Sequence, residues 1–255
     1  RRLLVAALRQ AQYRSYRDQL SRDYLASVGF FNQSDQVFPD LAFSLPSRHE
    51  RGCRSVAPKP RVIGVGVMGY YGWRNSQRHG AHIYADYTAK IGRFVVWLLE
   101  QGYAVHLLTG EIPTDRRPVQ DVMQAVQSAV SAELRSHLSV PEINKPDDVF
   151  AVIDATDLVV ATRFHNVISA LLLCRPVLSL GYSKKNDALL AEMGIGQFCQ
   201  AVDEFSVEKL QEQFQALAAM APDVAAQICR RVDSYRSLLD VQYDLLVAAP
   251  PVGRQ

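Results

Sequence analysis

The stretch Asp157–Lys185, DLVVATRFHNVISALLLCRPVLSLGYSKK, decides the fold. Two short apolar runs, Leu158–Ala161 and Val177–Leu180, read as strands. Between them Phe164–Leu173 carries helical spacing, so the segment reads as strand, loop, helix, strand and loop. Each loop holds cations: Arg163 and His165 after the first strand, Lys184 and Lys185 after the second. In an open parallel α/β sheet, ligands bind at the carboxyl ends of the strands. Both clusters sit at such ends, which points to an anionic ligand.

The same alternation extends on both sides and predicts a doubly wound parallel α/β sheet from Arg61 onward. Further strands are expected at Val62–Val67 and Ala104–Leu108, with weaker ones at Leu138–Val140 and Phe198–Val202. Helices are expected at Ile83–Gln101, Pro118–Ser136, Asp147–Ala155, Asn186–Met193 and Ser206–Ala219, and a last one at about Asp223–Val247. Residues 1–30 read as helix, strand and helix. Asp18 is placed to cap the second helix and Gly29 to end it. Pro39–Pro60 holds four prolines and the polar run SRHERGCRS, a linker composition. The expected division is therefore 1–45, the end of a preceding α/β domain; 46–60, a linker; and 61–255, a second domain that includes the closing helix.

Bulk properties exclude several classes. With 48% hydrophobic and 21% charged residues, the chain has an ordinary globular composition. A net charge of +2 gives no case for nucleic acid or an anionic membrane surface. No apolar run reaches the ~18 residues a membrane helix requires; the longest is Val167–Cys174. The start, RRLLVAALRQ, has the arginines and apolar run of a signal peptide, but the run is short and no cleavage site follows. There is no initiator Met, so the chain is expected to begin inside a longer protein. Cys53, Cys174, Cys199 and Cys229 are widely spaced without a CxxC pair, and are expected to be reduced thiols in a cytoplasmic protein. His49, His82, His106 and His137 lack metal-ligand spacing.

Four loops carry residues suited to chemistry. Thr162-Arg163-Phe164-His165 opens a helix, where backbone N–H groups favour anions. An Arg there can grip phosphate or carboxylate with two hydrogen bonds, and a His two residues on, in the same first turn, can donate or move a proton. The plainer reading is that Arg163 pairs with a surface carboxylate and His165 fills space. Tyr182-Ser183-Lys184-Lys185 also enters a helix, where lysines are mildly unfavourable without an anion to neutralise. Gly66, Gly69 and Gly72 follow the first strand, but their G-x-x-G-x-x-G spacing and the polar WRNSQRHG beyond argue against a nicotinamide site. A loop bearing Arg74, Arg78 and His79 near the cleft is expected instead. In Ser15-Tyr16-Arg17-Asp18, Arg17 could face the same cleft. Gly110-Glu111 with Asp115 could bind a sugar hydroxyl or cap the next helix. There is no G-x-S-x-G elbow and no Walker A motif.

Together SYRDQLSRDYL, PDLAFSL and DLVVATRFHNVISALLLCRPVLSLGYSKKNDALLAEMG resemble the polysaccharide pyruvyl transferase family. The last is the most specific: Arg163-x-His165, then Ala170 with Pro176 and Val177, then Tyr182-x-x-Lys185. The resemblance implies a GT-B-like architecture of two Rossmann-like domains around a cleft. The chain would then supply the end of the N-terminal domain and the whole C-terminal domain. It also implies a reaction in which phosphoenolpyruvate is the donor substrate, with no further cofactor and no metal. A pyruvate ketal is installed on a saccharide or lipid-linked glycan during exopolysaccharide or cell-surface glycan synthesis, and phosphate is released. His165 and Arg163 would be catalytic, with Lys185, Tyr182, Lys184, Asn166 and Arg17 binding substrate. A location at the inner face of the membrane, or in an assembly complex, is compatible with this reading. Two rivals stand beside it: a nucleotide-sugar-dependent GT-B glycosyltransferase, and a glycan-binding partner without catalysis.

Overall fold

The computed structural model describes residues 2–46, 57, 60–72 and 80–248. His49, Cys53, Arg74, Arg78 and His79, and most of the expected linker, lie outside the described residues. The chain divides into two compact units, residues 1–47 with 230–255, and residues 48–229.

The first unit holds α1 (Arg2–Gln10), β1 (Ser15–Tyr16), α2 (Gln19–Ser27) and β2 (Gln36–Val37). The two strands pair in parallel, with Ser15 opposite Gln36. Asp18 caps α2 by accepting the Ser21 N–H at 2.6 Å. Gly29 follows the helix with φ +86°, a conformation costly to residues with a Cβ. Buried Asp35 accepts from Tyr16 Oη at 3.0 Å and Arg14 Nε at 3.1 Å, tying the end of the α2–β2 loop to β1. The last helix of the chain, Ala221–Ala248, contributes its C-terminal part to this unit. Its Arg236 Nη1 donates to the carbonyls of Phe43 and Leu45, and Tyr235 meets the Phe43 ring edge-on. This corrects the sequence reading, which gave the whole closing helix to the second domain. The helix is long enough to serve both units, and its period alone does not say where the partner surface changes.

The second unit is built on six parallel strands: β3 (Val62–Gly66), β4 (Ala104–Leu108), β5 (Leu138–Ser139), β6 (Leu158–Ala161), β7 (Val177–Gly181) and β8 (Cys199–Ala201). Their order is β5-β4-β3-β6-β7-β8. The connections wind outward in both directions from the β3/β6 pair, which makes that pair the topological switch point. β6 and β7 are buried along their whole length, as strands covered on both faces must be. The register of β6 against β3 is set partly by Asp157, whose Oδ2 accepts the N–H groups of Arg61 and Val62 at 2.8 and 3.0 Å. Ile63 then lies opposite Leu158 and Val65 opposite Val160.

The helices of this unit are α3 (Ala81–Glu100), α4 (Ile112–Ala129), α5 (Ala132–Arg135), α6 (Pro146–Asp154), α7 (Phe164–Leu172), α8 (Lys184–Glu192) and α9 (Val207–Ala219), followed by the start of the last helix, α10. Ile91, Phe94 and Leu98 of α3, Leu171 of α7 and Phe214 of α9 are fully buried with the strand residues Val65, Leu107 and Leu178. Each such side chain contributes about 1.5–3 kcal/mol of apolar burial. The expected helix Pro118–Ser136 is two helices. It starts early because Pro113 is tolerated in a first turn, and breaks where Val130 turns extended and Ser131 caps α5.

Two cysteines depart from the expectation of reduced thiols. Cys174, just after α7, is bonded to Cys229 of α10. The 55-residue separation hid a pair that the fold brings to a Cα–Cα distance of 5.2 Å. Cys199 is a free thiol. Burial, then the hydrogen bond it donates to Asp187 at 3.0 Å, pushes it up to about 12, so it stays protonated at neutral pH. Among the described residues, no helix is long and apolar enough to cross a membrane.

Candidate active site

β6 ends at Ala161 and the chain turns at Thr162 and Arg163 into α7. Thr162 is buried and held at both ends. Its N–H donates to Gly66 O at 3.3 Å, and its hydroxyl lies 2.8 Å from Tyr87 Oη. Tyr87 Oη also accepts the Met68 N–H at 3.2 Å. Burial pushes this phenol up to about 12, so it serves as a neutral hydrogen-bonding post beneath the loops.

Arg163, the N-cap of α7, does not point out as an isolated cation. Its Nε donates to Asp115 Oδ2 at 3.1 Å, and its Nη2 to Asp115 Oδ1 at 2.6 Å and to Thr114 Oγ1 at 2.9 Å. Its Nη1 pairs with Glu111 Oε2 at 2.9 Å. Burial lowers the Arg163 pKa, but the bond to Asp115 and the charges of Asp115, Glu111 and nearby Tyr182 more than offset this, so the net shift is upward. The guanidinium is a permanent cation. The two carboxylates differ: the Asp115 side chain is fully buried, whereas that of Glu111 is 55% exposed. Asp115 also accepts N–H groups from Gly110 at 3.0 Å, Glu111 at 2.9 Å and Gly69 at 3.3 Å. One carboxylate thus fastens the loops after β3, β4 and β6.

Glycine makes this crossing possible. Arg163, after β6, reaches over the end of β3 to α4, which follows β4. A Cβ on Gly110 would lie 2.9 Å from Arg163 Cγ and from Asn166 Oδ1, and one on Gly66 would lie 3.0 Å from Asn166 Nδ2. Asn166 is itself only 2% exposed, so it packs beneath the arginine instead of at the open surface. His165 is exposed in the first turn of α7, with its ring edge-on to Phe164 at 5.9 Å.

The neighbouring loop after β7 brings Tyr182, Lys184 and Lys185 to the start of α8, capped by Ser183, which accepts the Lys185 N–H at 3.2 Å. Lys184 is exposed and Lys185 half-buried. β6 and β7 are hydrogen-bonded neighbours, so Arg163, His165, Tyr182 and Lys185 gather on one edge of the sheet. Arg17 lies in the other unit, half exposed, and pairs there with Asp40 at 3.0 Å. Sequence reasoning marked Glu111 and Asp115 only as sugar ligands or caps. The loop position after a strand was the available signal; their pairing with Arg163, 48 residues away from Asp115, was not.

A doubly wound unit with polar loops at its switch point defines a class of fold shared by GT-B transferases. The α,α-trehalose-phosphate synthase (UDP-forming) from Burkholderia vietnamiensis is similar, with a TM-score of 0.51 and 9% identity over 94% of this chain and 61% of that one. The glycotransferase of kitacinnamycin aligns with a TM-score of 0.49 and 13% identity, over 86% of this chain and 51% of that one. The chain thus spans about half to three fifths of these solved structures. No curated protein matches it. The model of the polysaccharide pyruvyl transferase family matches residues 1–184, and the chain belongs to that family.

Proposed function

We propose that the protein transfers the pyruvate unit of phosphoenolpyruvate to a saccharide as a pyruvate ketal, in the synthesis of an extracellular or cell-surface glycan. The observation that carries this reading is the gathering of Arg163, His165, Tyr182 and Lys185 at the carboxyl ends of two paired strands beside the switch point. Phosphoenolpyruvate bears a carboxylate and a phosphate, and cations at adjacent strand ends suit both.

In the proposed sequence His165 protonates the methylene carbon, and C2 takes on oxocarbenium character. One sugar hydroxyl adds to C2 and returns a proton to the histidine. The C2–O bond to phosphate breaks, and the second hydroxyl adds to close the ketal, its proton leaving with phosphate. General acid catalysis of this kind contributes about 10²–10⁴-fold. Arg163 and Lys185 stabilise the charge on departing phosphate. The buried Asp115 fixes the direction of the guanidinium, and Tyr182 and Lys184 border the same edge.

The test is phosphate release from phosphoenolpyruvate by the full-length protein with glycan acceptors. His165→Ala is expected to lower kcat by about 10²-fold or more, and Arg163→Ala to raise the KM for phosphoenolpyruvate. Wild-type rates in both variants would refute the assignment.

A further inference from the structure

The two carboxylates on Arg163 are not equivalent. Asp115 is sealed and accepts from three backbone N–H groups as well as from the guanidinium, so it cannot leave without stranding them. Glu111 touches Arg163 through Nη1 alone, from an exposed side chain on the first residue before α4. Exposed ion pairs of this kind are weak, because water competes for both partners. The stem of Arg163 is fixed by Gly110 and its Nε and Nη2 by Asp115 and Thr114. Nη1 is therefore the end of the guanidinium whose partner can be exchanged.

We propose that Glu111 and the donor anion compete for Nη1 of Arg163, so that Glu111 acts as a displaceable internal anion that tunes donor affinity. This rests on the reading that Arg163 belongs to the phosphoenolpyruvate site. The donor's carboxylate or phosphate takes the place of the Glu111 carboxylate, which swings to solvent. Asp115 keeps the guanidinium aimed throughout the exchange. Two anions cannot both sit within hydrogen-bonding distance of Nη1 without mutual repulsion, so the exchange is a true competition. Glu111 is then a specificity-determining residue: it sets the threshold an anion must exceed, and a doubly charged phosphate exceeds it more readily than a single carboxylate.

Calorimetric titration of the full-length protein with phosphoenolpyruvate, and separately with inorganic phosphate, tests this. Glu111→Gln keeps the size and solubility of the side chain and removes its charge. It is expected to bind phosphoenolpyruvate about two- to fivefold tighter, the range an exposed ion pair accounts for. Arg163→Ala is expected to bind about tenfold weaker or worse, as loss of charged hydrogen bonds implies. In the Arg163→Ala background, Glu111→Gln should give no gain. If Glu111→Gln binds as wild type or weaker while Arg163→Ala loses affinity, the competition is refuted and the site assignment stands. A gain that persists without Arg163 also refutes the competition, because Glu111 would then act as a general surface charge. If Arg163→Ala binds as wild type, the site assignment itself is refuted.

Discussion

Arg163 and Gly110 show how little freedom the site has at the scale of single residues. The arginine stem lies where a Gly110 Cβ would be, so Gly110→Ala must move Arg163 or Asn166. Asn166 is only 2% exposed, whereas the Arg163 side chain is partly open, so the shift falls on the arginine. Misplacement of about 1 Å can cost up to about 10²-fold in rate. Gly110→Ala is expected to lose activity on that scale while still folding, measured as kcat/KM for phosphoenolpyruvate beside a melting curve. Wild-type kinetics would show that this packing does not position the arginine. The cations themselves were legible in the sequence, because Arg163, His165 and Lys185 follow short, largely apolar segments of strand length. Their anionic counterparts were only half legible. Asp115 pairs with Arg163 across the end of β3, and that pairing exists only once the strand order is known.

Among the elements, the central ones were read most accurately. β4 and β6 were expected at the residues they occupy, since AVHLL and LVVA are short, largely apolar segments between polar turns. The edges were harder: β5 has two residues and little apolar pattern to reveal it. Helix α6 carries two predictions. At its start, the N–H groups of Asn144 and Lys145 point at the Asp148 carboxylate, at 2.9 and 3.1 Å, and hold its pKa below the usual value. A depressed folded pKa contributes stability above the ordinary Asp value of about 3.9 and loses it as pH falls through the folded value. The protection of the Asn144 and Lys145 amides, taken relative to the intrinsic exchange rate at each pH, should therefore fall below about pH 4, and Asp148→Asn should abolish that step. At its end, Asp154 pairs through its carboxylate and its carbonyl with Arg175, whose side chain is fully buried. Asp154→Ala removes the carboxylate that faces this buried cation and is expected to cost up to about 3–5 kcal/mol in urea denaturation. A loss below about 1 kcal/mol, roughly the worth of an exposed pair, would mean that Arg175 is satisfied by other groups.

For the whole molecule, the bond between Cys174 and Cys229 closes a loop that contains β7, β8, α8 and α9. Closing a loop of 55 residues restricts the unfolded chain by about 4 kcal/mol in the chain-entropy model. Cys229→Ser should lower the melting temperature, and reductant should lower that of the wild type to match. No change on either would show that the bridge does not form in solution. Domain limits were less legible than the sheet, since α10 gives no sequence signal at the point where it passes from one unit to the other. Asp115 has a last consequence, for how such proteins can be re-engineered. Because it holds the loops after β3, β4 and β6 together, these loops are not independent modules. A graft that replaces the loop before α4 alone discards the fastening for the other two. Swaps between relatives should succeed when all three loops travel as one cassette, and fail when one is moved singly.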